Sequence, residues 1–231
     1  MSKNEHMHSQ TAAIVGCDRE TIGVPSLVQG AYGRRGNLEL VACDGQEGLW
    51  VFWFNADLES DPLETPEVPP GSWSSGLRFA PGTRFVAAQI LQSALGPDHL
   101  EVLALADHGE LQSWYWSPGP GFRLRAEPAA RGVTAFRAVH SDGVLSVSAM
   151  QRGGLIAHVR SDGSGYPERT WTTVQGGPGL DEPGPTVDVA DARETGATGL
   201  REVRSSRDGG TIEATWRDAQ GRIRHLGIPS P

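Results

Sequence analysis

Apolar residues fall in short runs along this chain, and the runs return in the same order four times. The clearest copy is residues 37–55. Asn37-Leu38-Glu39-Leu40-Val41-Ala42 leads through Asp44-Gly45 into Leu49-Trp50-Val51-Phe52-Trp53-Phe54. Runs this short, rich in β-branched and aromatic residues and bounded by turn formers, predict strands. The first run recurs at 99–104, 144–149 and 199–204, and the second at 111–116, 155–160 and 212–217. His108-Gly109, Gly153-Gly154 and Asp208-Gly209 hold the intervening turns, where glycine supplies the positive φ a tight hairpin demands. No window carries a helical apolar period, so little helix is expected.

Each pair is preceded by a further apolar strand, at 26–29, 88–92, 136–140 and 186–191. Each is followed by a weaker one, as at 73–79, 122–126 and 169–174. Four strands per unit and four units predict an all-β chain, a β-propeller with four blades of four strands. The blades cover about 25–85, 86–132, 133–178 and 185–231, in one domain spanning 11–231 after a disordered tail at 1–10. The apolar stretch 12–17 is left to pair onto the fourth blade and close the array. Two segments break the rhythm: the acidic, proline-rich insertion 61–71, an excursion or a lid, and the connection 176–185.

Leu27-Val28-Gln29-Gly30 and Ile90-Leu91-Gln92-Ser93, each followed by a strand of the Leu38-Glu39-Leu40 type, resemble a bacterial propeller repeat frequent in actinobacteria. Trp216-Arg217-Asp218, with His158 and Arg160, matches the end of that repeat's third strand. The repeat is similar to fucose-lectin-like propellers, and the resemblance implies binding of a sugar or small ligand. Phe54 and Trp116 stand where that repeat has arginine, which removes any ligand role of that arginine from the first two copies.

Composition narrows the partners. A chain of 231 residues with thirty glycines and sixteen prolines suits one turn-rich domain with a full core. The net charge of -8 argues against nucleic acid and anionic membrane as partners. Residues 1–10 lack the apolar run of a signal peptide. Cys17 and Cys43 have neither metal-ligand spacing nor a disulfide framework, and are expected as buried thiols in a reducing cytoplasm. No cofactor and no metal are expected, and the chain should act as a monomer or homodimer.

The candidate site follows from aligning the first strands. Gln29, Gln92, His140 and Asp191 fall at matching places, one from each blade, and form a candidate ligand-binding ring at an axial pocket. His140 beside Asp191 has the make-up of an oriented base. These groups equally suit a ring that satisfies itself. The aromatic runs at Trp50, Phe52, Trp53 and Phe54, and at Trp114, Tyr115 and Trp116, are expected mainly as core between stacked blades, the other reading being a platform for sugar rings. No nucleophile elbow, metalloprotease helix, phosphate loop or calcium loop is present. His99, His108 and His225 carry no pattern. Three functions stay open: a cytoplasmic lectin-like propeller binding a carbohydrate or other small polar ligand, a tailoring or cyclising enzyme of secondary metabolism using His140 and Asp191, and an interaction scaffold.

Overall fold

The structure, a computed structural model, describes residues 11–59, 68–93, 99–180 and 196–229. It opens with β1 (Thr11–Val15). Blade one is built from β2 (Thr21–Gln29), β3 (Leu38–Asp44), β4 (Leu49–Phe54) and β5 (Leu77–Phe79), paired antiparallel in that order. Blade two has β6 (Phe85–Gln92), β7 (Leu100–Ala106) and β8 (Glu110–Ser117), with β9 (Gly121–Leu124) and β10 (Ala130–Arg131) both on the outer edge of β8. Blade three runs β11 (Val133–Ser141), β12 (Val144–Gln151), β13 (Ile156–Ser161) and β14 (Thr172–Thr173). Blade four is β15 (Thr198–Ser205), β16 (Thr211–Arg217) and β17 (Ile223–Pro229), and β1 supplies its outermost strand. Among the described residues the one helical turn is the 3-10 segment Arg207–Gly209. The chain is an all-β protein of propeller architecture, as its repeats predicted.

The innermost strands β15, β2, β6 and β11 lie side by side in that order, which sets blade four against one, one against two and two against three. Alternation along β3 shows what holds them. Leu38, Leu40 and Ala42 turn toward blade four and join Phe52, Phe54, Val15 and Ile223 in one buried cluster. Val41 and Cys43 turn the other way and pack with Ile90, Leu100, Val102 and Ala104 of blade two. Leu103, Leu105 and Leu111 of blade two meet Ala138, Leu145 and Val147 of blade three in a third cluster. A strand buried on both faces reads as a continuous apolar run, which is why the second strands stand out in the sequence.

Three expectations change, and others fall outside the described residues. β15 holds the innermost place in blade four, not the second, because β1 already fills the outer edge and the C-terminal segment supplies three strands. The segment 186–191, expected as that blade's first strand, lies outside the described residues, as do the tail 1–10 and most of the insertion 61–71. In the first hairpin the positive φ falls on Gly48 (87°), not Gly45; a Cβ there would come 2.8 Å from the Phe79 carbonyl. Cys43 is buried, but Cys17 is exposed at the end of β1.

The aromatic runs divide. Phe52 and Phe54 are fully buried. Trp50, Trp53, Trp114, Tyr115 and Trp116 are half-buried. These five rings keep one edge wet, whereas the Trp216 indole of blade four is fully enclosed.

Candidate functional site at the blade boundaries

Strand pairing places Gln29 opposite Leu38, Gln92 opposite Leu100 and His140 opposite Leu145, so these three occupy one register position in successive blades. In blade four the matching residue is Arg204, opposite Ile212. Asp191 lies outside the described residues.

The two glutamines bond between blades. Gln29 accepts the Ser206 amide of blade four at 2.8 Å and donates to the Ser206 hydroxyl at 2.9 Å. Its amide nitrogen also reaches the Arg35 carbonyl of its own blade at 3.1 Å. Gln92 accepts the Ala31 amide of blade one at 2.9 Å and donates to the His99 carbonyl at 2.6 Å. Gln89 repeats the device one boundary on, accepting from the Ala138 amide at 2.9 Å and donating to its carbonyl at 2.7 Å. Such side chains imitate a strand edge and satisfy backbone groups that blade packing would otherwise leave unpaired.

His140 differs. It is half-buried, and its Nε2 has no hydrogen-bond partner among the described residues. Burial, and then the nearby Arg169 cation, hold its pKa below the ordinary imidazole value; Glu101 opposes them. The ring therefore stands neutral at pH 7.

Around it lies a constellation that the sequence pattern did not reveal. Glu101 of β7, 1% exposed, takes a bidentate contact from Arg125 and a hydrogen bond from Arg169 of blade three at 2.8 Å. Arg125 also donates to the Ser113 hydroxyl at 3.0 Å and to the Pro167 carbonyl of blade three. Two buried guanidiniums against one carboxylate leave an excess of positive charge. Among the described residues, Nε and Nη1 of Arg169 find no partner, and neither does Nδ1 of His99. Aromatic faces line the same boundary: His99 stacks on Tyr166 at 5.3 Å, Tyr115 meets Tyr166 edge-on at 5.6 Å, and Arg125 lies over Tyr115 at 4.8 Å. Buried donors and ring nitrogens without partners are uncommon in folded proteins and mark a place to look for a ligand.

The glutamate recurs. Glu39 opposite Trp53, Glu101 opposite Tyr115, and Glu213 one residue past Ile212 share one register position, while blade three has Ser146 there. Glu213, fully buried, bonds to Arg207 at 2.9 Å, His225 at 2.9 Å and the Ser205 hydroxyl at 2.7 Å. Burial raises its pKa, but the bonds from His225 and Arg207 outweigh that and hold it below the ordinary carboxylate value. Trp73 of blade one donates to the other nitrogen of His225 at 3.3 Å, which fixes the imidazole between the two blades. Arg217, which matches the repeat's arginine, bonds to the Gly23 carbonyl and to the Thr21 hydroxyl at 3.1 Å; it ties blade four to blade one. A glutamate repeated inside otherwise apolar strands was the signal available in the sequence. Arg169 and His225 gave none, since their partners come from distant segments.

No protein-family model matches the chain, and no curated protein does. Solved structures do. BP39L lectin from Burkholderia pseudomallei aligns with 89% of this chain and 54% of its own at 15% identity, with a TM-score of 0.45. AofleA from Arthrobotrys oligospora aligns with 96% of this chain and 58% of its own at 13% identity and a TM-score of 0.44. Aleuria aurantia lectin, solved in complex with alpha-methyl-L-fucoside, aligns with 88% and 56% at 10% identity and a TM-score of 0.41. The chain spans little more than half the length of each.

Proposed function

We propose that this chain is a lectin-like propeller that binds a saccharide or another small polyhydroxylated ligand, without turnover, where blades two and three meet. The observation that carries the reading is the group of nitrogens on Arg169, His140 and His99 that find no partner among the described residues, beside the Tyr166 and Tyr115 rings. Sugar hydroxyls accept from guanidinium nitrogens and exchange hydrogen bonds with a neutral imidazole. Aromatic faces take the apolar side of a sugar ring. Of the ring proposed from the sequence, His140 is the member that faces ligand, and Gln29 and Gln92 brace the blades that frame it. The exposed Cys17 and buried Cys43 are free thiols, which suits the cytoplasm as the compartment.

A glycan array followed by calorimetry tests the reading, with alpha-methyl-L-fucoside in the panel. The expected result is saturable binding of at least one glycan, weakened about tenfold or more by His140→Ala and by Tyr166→Ala in proteins that melt like the wild type. Binding untouched by both variants, or no binding across the panel, overturns it.

A further inference from the structure

Two of the three glutamate boundaries share a unit made of a carboxylate, a guanidinium and an aromatic face. Where blades two and three meet, Arg125 pairs with Glu101 and lies over the ring of Tyr115. Where blades four and one meet, Arg207 pairs with Glu213 and lies 5.1 Å from the ring centre of Phe54. Where blades one and two meet, the carboxyl and the rings are present. Glu39 is 6% exposed and sits opposite Trp53, as Glu101 sits opposite Tyr115. Trp116 holds the register place in blade two that Phe54 holds in blade one, and packs on this same boundary. Tyr32 meets Trp116 edge-on at 6.0 Å.

Among the described residues, the guanidinium is the part this boundary lacks. Arg125 continues β9 by donating its amide to the Ser113 carbonyl at 3.0 Å. The corresponding pair in blade one is Leu77 opposite Val51, and Leu77 is 47% exposed. Among the described residues no hydrogen bond or ion pair engages the Glu39 carboxyl. Burial with no cation beside it pushes that carboxyl up to about 8. Gly30 lies over it: a Cβ there would come 3.1 Å from Cγ of Glu39 and 3.3 Å from the Gln92 amide oxygen, and glycine keeps that space clear.

We propose that the boundary of blades one and two is a recognition site for a guanidinium group carried by a ligand, seated against Glu39 between the Trp53 and Trp116 rings. A planar guanidinium can bond a carboxylate through two parallel N–H donors while its face rests on an indole. The other two boundaries build that arrangement from the chain's own arginines. A small arginine-like molecule and an arginine side chain on a peptide offer the same chemistry. The site lies on a different boundary from the saccharide reading and stands without it.

Calorimetric titration in low-salt buffer at about pH 9, above the Glu39 value, uses N-butylguanidinium, the peptide Gly-Arg-Gly and the neutral isostere N-butylurea. The expected result is binding of a cationic probe and none of the urea. Glu39→Gln should weaken the cation by about tenfold or more. Leu77→Arg, at an exposed position, should weaken it comparably by supplying the guanidinium from within the chain. Tighter binding of the peptide assigns the source to a protein partner, and tighter binding of N-butylguanidinium to a small molecule. Equal binding of the urea, no binding of either cation, or unchanged affinity in a folded Glu39→Gln protein overturns the proposal.

Discussion

Ala13 lies directly opposite His225, so the first described strand of the chain is the outermost strand of its fourth blade. His225 is at the same time bonded to Glu213 and to Trp73 of blade one. The N-terminal strand therefore covers the β17 edge just where blade four is locked to its neighbour. An uncovered β17 would present a row of unpaired backbone groups. Val15, 1% exposed, adds an apolar plug to the cluster shared by the two blades.

Removing residues 1–17 should consequently lower the stability of the fold by several kcal/mol, the scale of a packed strand in a domain of this size. Thermal unfolding of the truncated chain measures it. An unchanged midpoint would show that β1 is dispensable.

The glutamines give a second prediction. Gln92→Ala leaves the Ala31 amide without its partner across the boundary and takes one of two donors from the His99 carbonyl of its own blade. The cost should be about 1–3 kcal/mol, the penalty of stranding such a group. His140→Ala removes a ring whose Nε2 engages none of the described residues and should leave stability within about 0.5 kcal/mol. Denaturant unfolding of the two variants side by side separates bracing from ligand contact.

How far the sequence was legible follows from these residues. The second strands and their hairpins could be read because burial on both faces makes Leu38 to Cys43 and Leu100 to Ala106 apolar runs broken by a single glutamate each. Blade four reads one strand late because its outer strand sits at the opposite end of the chain, where no local pattern links 11–15 to 223–229. Ile212-Glu213-Ala214 is the true counterpart of Leu38-Glu39-Leu40, and the glutamate shows it. That carboxyl reads as the solvent half of an alternating strand until neighbouring blades are in place. The register of Gln29, Gln92 and His140 was legible; their work was not, since Ser206, Ala31 and Arg169 reach them across loops.

Aromatic burial gives a third test. Phe52→Ala should cost about 3–5 kcal/mol through the cavity it leaves in the cluster of blades four and one. Trp53→Ala, at a half-buried position, should cost about 1 kcal/mol. Equal losses in chemical unfolding would mean that Trp53 is core after all.

The last prediction concerns pH. Glu39 has its carboxyl raised from an ordinary 4.5 to about 8 by burial, so the folded chain holds a proton there that the unfolded chain releases. A raised carboxyl favours the fold below pH 4.5, and that advantage disappears as pH climbs through the window to about 8. Each pH unit between those two values is worth about 1.4 kcal/mol, so the full effect amounts to a few kcal/mol. Glu39→Gln keeps the shape and removes the titration. Relative to wild type, the variant should gain stability steadily between pH 4.5 and 8 and show a constant difference above that range. Other groups titrate equally in both proteins and cancel in the comparison. Parallel stability curves across the window would mean that Glu39 ionises at an ordinary pH, and that a cation already stands beside it.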